Sequence, residues 1–401
     1  MKRIKHEKPR NLVNKWTTGQ RILLTISVIC FVGGVGSFTV PFIFPEAKKP
    51  ELVYPEIPTK QSNGNGIYSH LTGLEEENVE ALTKPTYCVQ TPNGLDGARP
   101  QAGLGQAGVI FEAIAEAGIT RFAAIYQNPT SSVIGPIRSL RIYYLEWDTP
   151  FDCTVVHAGG ADNALSALKS GGYRDLTEDY AYMYRGTYQK RLWNNLFTTG
   201  TNLAQFNNEH GYNSSNVNGF KRMTPELSKR SRIDSTVEER LKITEPTDKD
   251  TSKLSPKVSD IKLNFGSYES FNVKYVYDSE SNSYLRFYGD NEPHNVYACP
   301  TENMGERNPE DICSLKQLSP SVVVVMVVQE KKDWDGYHED ITTTGSGKVY
   351  IFQNGIAISG TWKKESATSQ ITFWDESGKE IDLSPGQTFV EAIPNYGGVE
   401  Y

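Results

Sequence analysis

The sequence predicts an α+β protein in which an N-terminal α/β domain is followed by a mainly β C-terminal domain, with one transmembrane helix ahead of both. Three observations lead to this prediction: an uncharged apolar stretch near the start, strand–turn–helix alternation in the first half, and closely spaced strand signals in the second. The predicted boundaries are a basic tail at 1–21, a transmembrane helix at 22–44, a linker at 45–84, an α/β domain at 85–235, a second linker at 236–258 and a β domain at 259–401.

The N-terminal region has the features of a membrane anchor. Residues 22–44 contain no charged residue, and about 20 apolar residues are enough to span a bilayer. Seven basic residues and one acidic residue precede this stretch, which predicts a cytoplasmic N-terminus and extracytoplasmic domains at the cell membrane. The alternative is a cleaved signal peptide. A lipid anchor is not predicted, because Cys30 follows the bulky Ile29 rather than a small residue.

The first domain is predicted to alternate strands and helices. Period-2 patterns bounded by turn residues predict strands at 86–90, 108–116, 121–127 and 153–157. Pro136 suits the first turn of a helix, and apolar residues recur at helical spacing from Ile137 to Trp147, until Pro150 ends the run. Two further helices are predicted at 161–169 and 201–209.

The second domain is predicted to consist mainly of strands. Turn signals such as Asn354-Gly355 and Ser377-Gly378 separate short apolar runs. The predicted strands lie at 270–277, 283–288, 321–329, 347–353, 356–363, 370–374 and 388–393.

The charge balance argues against a nucleic-acid partner. The net charge is −7, and the basic tail contributes +6, so residues 22–401 carry −13. Binding of nucleic acid needs a basic surface that neutralises phosphates. An anionic ligand would therefore have to be held locally, by a few placed arginines.

Short segments rich in glycine and proline carry the residues of a candidate anion site. Guanidinium groups bind phosphate and carboxylate through paired hydrogen bonds, so clustered arginines predict an anionic ligand. No cofactor or metal ligand set is apparent in the sequence. The ligand-binding candidates are Arg99, Gln101, Arg121, Arg138, Ser139, Arg141, Gly159 and Gly160.

Arg138 is central to this prediction. It would lie in the first turn of the helix that begins at Pro136, where free amide groups and the helix dipole attract anions. Arg141 would follow on the same face. The alternative is that both arginines pair with acidic residues such as Glu146 or Asp148 and only stabilise the fold.

His157 is the candidate catalytic residue. It ends a predicted strand and precedes Gly159, Gly160 and a helix, and ligands of α/β sheets lie beyond the carboxyl ends of strands. A histidine there could act as a general base or bind an anion. The alternative is a structural histidine held by hydrogen bonds.

For two groups of acidic residues, a structural role is favoured over a catalytic or metal-binding role. Glu112 and Glu116 share one face of a predicted strand, and a solvated face or ion pairs with Arg121 are favoured over a catalytic carboxylate pair. The acidic run from Asp333 to Asp340 is favoured as a polar hairpin loop over a metal site.

The cysteines allow one disulfide prediction. Cys299 and Cys313 bracket a short polar loop, which a disulfide would stabilise by about 3 kcal/mol; the alternative is two free thiols. Cys88 and Cys153 fall in predicted buried strands and are expected to be inert packing residues.

Several of these motifs occur in a recognisable combination. From about residue 71 to 394 the chain resembles the YerB-like family, a bacterial family of extracytoplasmic lipoproteins. The resemblance implies two domains outside the membrane and a biochemical activity that is not established. The motifs are Arg99-Pro100-Gln101, Thr120-Arg121-Phe122, Gly135-Pro136-Ile137-Arg138-Ser139-Leu140-Arg141, His157-Ala158-Gly159-Gly160, Gly345-Ser346-Gly347 and Gly360-Thr361-Trp362.

The chain departs from the family pattern at three places. The lipidated cysteine of the family is replaced by the predicted membrane span. The segment before the arginine motif is Val89-Gln90-Thr91 instead of Ile-Asp-Asn, and Trp193-Asn194-Asn195 stands where members have Pro-His-Asn.

These observations support a membrane-tethered module that binds an anionic envelope component, such as a glycopolymer or a lipid phosphate. One alternative is a phosphotransferase or hydrolase of envelope polymers with His157 as base, by analogy with the arginine and Gly-Gly layout of wall-polymer transferases. A third hypothesis is a scaffold that docks another envelope protein. The sequence leaves the oligomeric state open.

Overall fold

The computed structural model describes residues 66–188, 190, 193–232, 257–289, 291–333 and 335–401. The predicted basic tail, the predicted transmembrane helix at 22–44 and most of the linker at 236–258 lie outside these ranges. Within the described ranges, no helix combines the length and the apolar character needed to cross a bilayer.

The first half of the described chain alternates strands with short helices. Its strands are β1 (Ile67–Tyr68), β2 (Glu75–Glu76), β3 (Thr86–Pro92), β4 (Val109–Glu116), β5 (Ile119–Gln127), β6 (Cys153–His157), β7 (Arg174–Thr177), β8 (Tyr184–Arg185) and β9 (Leu196–Phe197). Its α-helices are α1 (Ile142–Asp148), α2 (Asp162–Gly171), α3 (Gly200–Glu209) and α4 (Pro225–Arg230).

The second half is almost entirely β. Its strands are β10 (Asp260–Asn264), β11 (Val273–Asp278), β12 (Ser283–Tyr288), β13 (Asn295–Ala298), β14 (Ser314–Gln317), β15 (Val322–Val328), β16 (Glu330–Lys332), β17 (Glu339–Ile341), β18 (Gly345–Gln353), β19 (Ile356–Lys364), β20 (Thr372–Asp375), β21 (Thr388–Pro394) and β22 (Gly398–Glu400). One helical turn, α5 (Pro309–Ile312), interrupts them. The described chain is therefore a mixed α+β protein dominated by strands.

The two halves share one ten-stranded sheet. Its order is β20-β19-β18-β15-β21-β4-β5-β3-β6-β7, so strands of the second half continue directly into strands of the first. The junction is the parallel pairing of β21 with β4, in which Glu391 lies opposite Glu112. A separate four-stranded sheet has the order β12-β11-β10-β22.

Strand alternation explains how the sheet builds its cores. In β15, Val322, Val324 and Met326 pack in the cluster that includes the aromatic side chains of α1, whereas Val323 and Val325 pack against residues of the four-stranded sheet. Successive side chains of a strand point to opposite faces, so a run of valines is buried on both. Both faces of the central sheet are therefore covered.

Most predicted strands are present, but the helix predicted from Pro136 is wrong over its first half. Residues 136–141 are not helical, and α1 begins at Ile142. The backbone of this segment bonds to neighbouring chain instead of to itself: the Arg138 amide donates to the Gln90 carbonyl, and the Leu140 amide donates to the Gly159 carbonyl. Arg138 and Ser139 are consequently not at a helix N-terminus.

The predicted linker at 45–84 is also wrong over its described part. From residue 66 onward the chain is folded, with β1 paired to β2. Leu71 is buried in the core, and Arg222 donates to its carbonyl oxygen at 2.7 Å. The apolar residues of this stretch are scattered among polar ones and show no helix or strand periodicity from which to predict this docking.

Candidate functional site

The motif residues of the first half lie near the carboxyl ends of neighbouring strands in the central sheet. Strands β3, β4 and β6 end on this side of the sheet, and the antiparallel strand β5 begins there. As a result, Arg121 lies opposite Pro92 at the end of β3. His157 is the last residue of β6. Ligands of α/β sheets bind beyond the carboxyl ends of strands, and that these residues form such a site stays a prediction.

The segment 138–140 runs across the ends of β3 and β6. The Arg138 carbonyl accepts from the Ala158 amide at 3.0 Å, and the Ala161 amide donates to the Leu140 carbonyl at 3.1 Å. Leu140 is fully buried, whereas Arg138 and Ser139 are partly exposed. The main chain is thus fixed on both sides, and its polar side chains lie at the surface.

Arg121 and Arg141 are neutralised together by one carboxylate. Arg121 donates to Oε1 of Glu116, and Arg141 donates to Oε2 at 2.6 Å. Arg121 also donates to the Ser139 carbonyl at 3.1 Å, and its burial, with the adjacent charge of Arg141, lowers its pKa. The sequence prediction of an ion pair with Arg121 is confirmed for Glu116, but the anionic partner of Arg141 is Glu116 rather than Glu146 or Asp148.

Arg138 differs from these two arginines because it pairs with an amide rather than a carboxylate. Its Nε donates to Oδ1 of Asn194 at 3.0 Å, and the Asn194 amide in turn donates to Oδ1 of Asp96 at 2.9 Å. Within the described residues, the two terminal nitrogens of Arg138 have no protein partner. This guanidinium is half-open to solvent and can donate further hydrogen bonds.

Arg99 lies against the second half of the chain. Its guanidinium carbon is 3.6 Å from the centre of the Tyr288 ring, and its Nε donates to Oδ1 of Asn93 at 2.9 Å. Burial lowers the pKa of Arg99. Its role here is to join the loop after β3 to β12.

Gln101 is fully buried behind this contact. Its amide donates to the Pro92 carbonyl at 3.1 Å, and its Oε1 lies 3.1 Å from Nε2 of His294. Both partners are protein groups within the fold. Arg99 and Gln101 therefore do not meet Arg138 in one open pocket.

Behind Gln101 lies a buried charge cluster that sequence reasoning did not find. Arg286 forms an ion pair with Glu112, and its Nε lies 3.1 Å from the Tyr275 hydroxyl. That hydroxyl donates to Glu391 at 2.6 Å, and His294 contacts Arg286. The sequence feature that could have indicated this cluster is a glutamate inside each of two apolar strands, Val109–Glu116 and Thr388–Pro394.

Burial sets the protonation states in this cluster. Burial and the neighbouring Glu112 raise the pKa of Glu391 well above its ordinary value, which favours its protonated form. Burial and the charge of Arg286 lower the pKa of His294 well below its ordinary value, so its ring is neutral. The cluster contains Arg286 and Glu112 as an ion pair, surrounded by neutral polar groups.

His157 is buried and both of its ring nitrogens have partners. Nδ1 lies 2.7 Å from the Gly159 carbonyl and Nε2 lies 3.0 Å from Oδ1 of Asp175. Burial acts to raise the pKa of Asp175, but hydrogen bonds with His157 and Thr177 outweigh it and hold that pKa below its ordinary value. The contacts are those of a histidine that joins β6 to the next strand and closes the glycine turn.

The glycine turn has its own conformational requirement. Gly159 has a φ of +65°, which favours glycine, and no atom lies within 4 Å of a Cβ placed there. The Gly160 Cβ position is close to the Leu140 carbonyl at 3.0 Å. Gly159 thus has open space beside it, whereas Gly160 permits close packing against Leu140.

The cysteines form two disulfides within the described chain. Cys299 is bonded to Cys313. Cys88 is bonded to Cys153, so the expectation that these two are free packing residues is wrong. They lie on the paired parallel strands β3 and β6, a proximity that 65 residues of sequence separation concealed.

The described chain also contains a cavity of about 360 Å³ whose lining includes none of the candidate arginines. It lies near the starts of β4 and β21, at the opposite edge of the sheet. Within the described ranges, no group of three or more His, Cys, Asp or Glu side chains is arranged to hold a metal ion. The cavity is lined by residues that include Gly103, Gln106, Ser131, Tyr297, Lys316 and Gln387.

Comparison with known proteins identifies the class of this fold. The structure is similar to the crystal structure of the YerB protein from Bacillus subtilis, with a TM-score of 0.63 and 21% identity over 84% of this chain and 100% of that chain. In sequence, the chain is 25% identical over 375 residues to the Bacillus subtilis (strain 168) protein named "Putative lipoprotein YerB", covering 93% of this chain and 95% of the relative.

Two family matches complete the identification. Residues 71–213 match the N-terminal domain, and residues 261–390 the C-terminal domain, of the family described as protein of unknown function (DUF3048). The chain belongs to this family, and the resemblance to YerB-like proteins is confirmed.

Proposed function

We propose that this chain is a membrane-anchored extracytoplasmic protein that binds an anionic group, a phosphate or a carboxylate, of a cell-envelope component through Arg138. The extracytoplasmic placement is supported by similarity to a lipoprotein of Bacillus subtilis and by the uncharged stretch at 22–44 with its basic flank. The anion-binding role rests on one observation: in the part of the chain that the structure describes, both terminal nitrogens of the Arg138 guanidinium are without a protein partner.

The local geometry suits a single charged group. Asn194 is almost fully buried and holds Nε of Arg138, which orients the guanidinium and leaves its other two nitrogens for a ligand. Two parallel N–H donors match the oxygens of a phosphate or carboxylate. The Ser139 hydroxyl beside it is a further donor at the partly exposed surface.

The neighbouring ion-pair cluster adds positive charge to the site. Arg121 and Arg141 share the carboxylate of Glu116, so the three side chains together carry a charge of about +1. Arg121 also fixes the carbonyl of Ser139, the residue next to Arg138. The cluster would attract an anion to the edge of the sheet without contacting it directly.

The alternative in which His157 acts as a base has less support. A general base needs a nitrogen that can reach the substrate, and both nitrogens of His157 are bonded within the protein while the ring is buried. We therefore favour binding over catalysis at this site.

The proposal is tested by anion titration of the full chain in detergent. Inorganic pyrophosphate and phosphorylated dextran, measured by isothermal titration calorimetry, should bind to the unaltered protein with an affinity that falls as salt increases. Arg138→Gln should weaken binding at least tenfold. The matched control is Arg230→Gln, an exposed arginine at the end of α4, which should bind as the unaltered protein does.

Two results would overturn the proposal. One is an unaltered protein that binds neither probe at millimolar concentration. The other is an Arg138→Gln protein that binds both probes with the original affinity and has an unchanged unfolding temperature.

A further inference from the structure

The two most exposed large hydrophobic side chains of the described chain both flank the Arg138 network. Trp193 is 72% exposed and Leu95 is 66% exposed. Trp193 immediately precedes Asn194, the partner of Arg138, and Leu95 immediately precedes Asp96, the partner of Asn194. Scattered exposed apolar residues need no explanation, but these two adjoin one open arginine.

The two loops that carry these side chains are tied together. The Asn194 amide donates to both the carbonyl and Oδ1 of Asp96, at 3.1 and 2.9 Å. Because Asn194 is almost fully buried, it fixes the backbone beside the exposed Trp193. An indole held in water by a fixed backbone is available to contact a ligand at little entropic cost.

The polar groups beside the indole can contact more of a ligand than its anionic group. Asp96 is exposed and lies one side chain away from Arg138, so its carboxylate would weaken the binding of an isolated phosphate without preventing it. A carboxylate does accept hydrogen bonds from hydroxyl groups. The site therefore combines an aromatic face, a hydroxyl acceptor and an anion-binding guanidinium.

We infer that the ligand is an acidic saccharide whose sugar ring stacks on Trp193 while Asp96 accepts from its hydroxyl groups and Arg138 binds its phosphate or carboxylate substituent. This inference rests on the proposed function and specifies its ligand class. Sugar rings present C–H faces that pack on aromatic rings and hydroxyl groups that need planar polar partners. A protein partner fits less well, because stable interfaces involve about 20–30 residues a side, whereas among the described residues beside Arg138 the large exposed apolar side chains are Leu95 and Trp193.

The test uses the full chain in detergent and four probes. Dextran and phosphorylated dextran differ only in the anionic group, polygalacturonate supplies a carboxylate saccharide, and inorganic pyrophosphate supplies the anion without a sugar. Trp193→Ala should weaken binding of both acidic polysaccharides at least tenfold and leave pyrophosphate binding within twofold. The control is Tyr401→Ala, which removes an exposed aromatic side chain that contacts Phe352 at the opposite end of the sheet. It should change neither polysaccharide binding nor pyrophosphate binding.

The possible outcomes separate the two proposals. If Arg138→Gln abolishes binding of phosphorylated dextran but Trp193→Ala leaves it within twofold, the saccharide inference is overturned and anion binding stands. If Trp193→Ala abolishes binding while Arg138→Gln leaves it unchanged, the saccharide inference stands and the role of Arg138 fails. Trp193-dependent capture of anionic lipid vesicles, with no binding of any polysaccharide, overturns the saccharide inference as well.

Discussion

The guanidinium of Arg286, in the second half of the chain, forms an ion pair with the carboxylate of Glu112, in the first half, and neither side chain has exposed surface. The two residues are 174 positions apart. Glu112 lies on β4 at the strand pairing that joins the halves. The stability of the shared sheet therefore depends on a pair of charges that cannot be solvated.

Replacing one member of this pair should strongly destabilise the fold. Glu112→Gln removes the nearer carboxylate of the buried Arg286 guanidinium and leaves only Glu391, whose Oε1 is 3.6 Å from the Arg286 Nε, so we expect the free energy of unfolding to fall by about 3–5 kcal/mol. Urea unfolding followed by circular dichroism measures this. The control is Lys331→Met, which breaks an exposed ion pair with Asp340 and should cost less than about 1 kcal/mol. Equal effects of the two substitutions would contradict the prediction.

The register partner of Glu112 should behave differently. The raised pKa of Glu391 favours its protonated form in the folded state, so Glu391→Gln replaces one neutral acceptor of the Tyr275 hydrogen bond with another. We expect a loss of less than about 1.5 kcal/mol near pH 4, where the unfolded chain also holds this proton, and this loss should be smaller than that of Glu112→Gln. The comparison is informative because both substitutions are isosteric and lie side by side.

The pH dependence of Glu391→Gln follows from the direction of the pKa shift. Above the ordinary glutamic acid value of 4.5, the unfolded chain releases the Glu391 proton while the folded chain keeps it. Stability of the unaltered protein therefore decreases as pH rises, by up to about 1.4 kcal/mol per pH unit for this one group. Glu391→Gln removes this contribution, so its stability relative to the unaltered protein should increase as the pH rises above 4.5. A difference in urea midpoint between Glu391→Gln and the unaltered protein that stays constant as the pH rises would contradict this prediction.

The two disulfides should differ in their accessibility to a reductant and in their contribution to the free energy of unfolding. Cys88 and Cys153 are buried, whereas Cys299 and Cys313 are partly exposed, so mild reduction and alkylation should label the second pair first. In the chain-entropy model the 65-residue separation contributes about 4 kcal/mol and the 14-residue separation about 3 kcal/mol. Mass spectrometry of peptides alkylated under native conditions measures the order. Labelling of Cys88 before Cys299 would be inconsistent with the fold.

Substitution of His157 should affect stability rather than ligand binding. His157→Asn can keep the bond to the Gly159 carbonyl but loses Asp175, and we expect a loss of about 1–3 kcal/mol. Binding of phosphorylated dextran should stay within twofold. A stable His157→Asn protein that no longer binds, or a demonstrated turnover that it abolishes, would favour the alternative in which His157 takes part in chemistry.

Strand periodicity predicted much of the sheet, because side chains that alternate between two faces leave a pattern in the sequence. The strand 153–157 and the strand 283–288 have the predicted bounds. The helix from Pro136 shows the limit of this reasoning. Ile137 and Leu140 occur at helical spacing, yet they are buried as part of an extended segment that crosses strand ends. Over six residues, spacing cannot distinguish these two ways of burying apolar side chains.

The sequence predicted motifs near strand ends, but not the state of each arginine. The segments that carry Arg121, Arg138 and His157 lie beside one another, whereas Arg99 packs against Tyr288 of β12. Whether an arginine is open or neutralised depends on carboxylates and amides brought to it by folding: Glu116 for Arg141, and Asn194 for Arg138. The exposed Trp193 was noted in the sequence only as a departure from a family motif.

The sequence by itself determined the strand-rich class, the arginine motifs, the acidic body and the family to which the chain belongs. Only the tertiary structure decided that the two halves share one sheet, that Cys88 meets Cys153, and that Arg138 keeps open donors while Arg121 and Arg141 share Glu116. The reason is physical. Periodicity and composition record which side chains are buried, whereas charge pairing and strand order depend on contacts between residues distant in the chain, which no local pattern encodes.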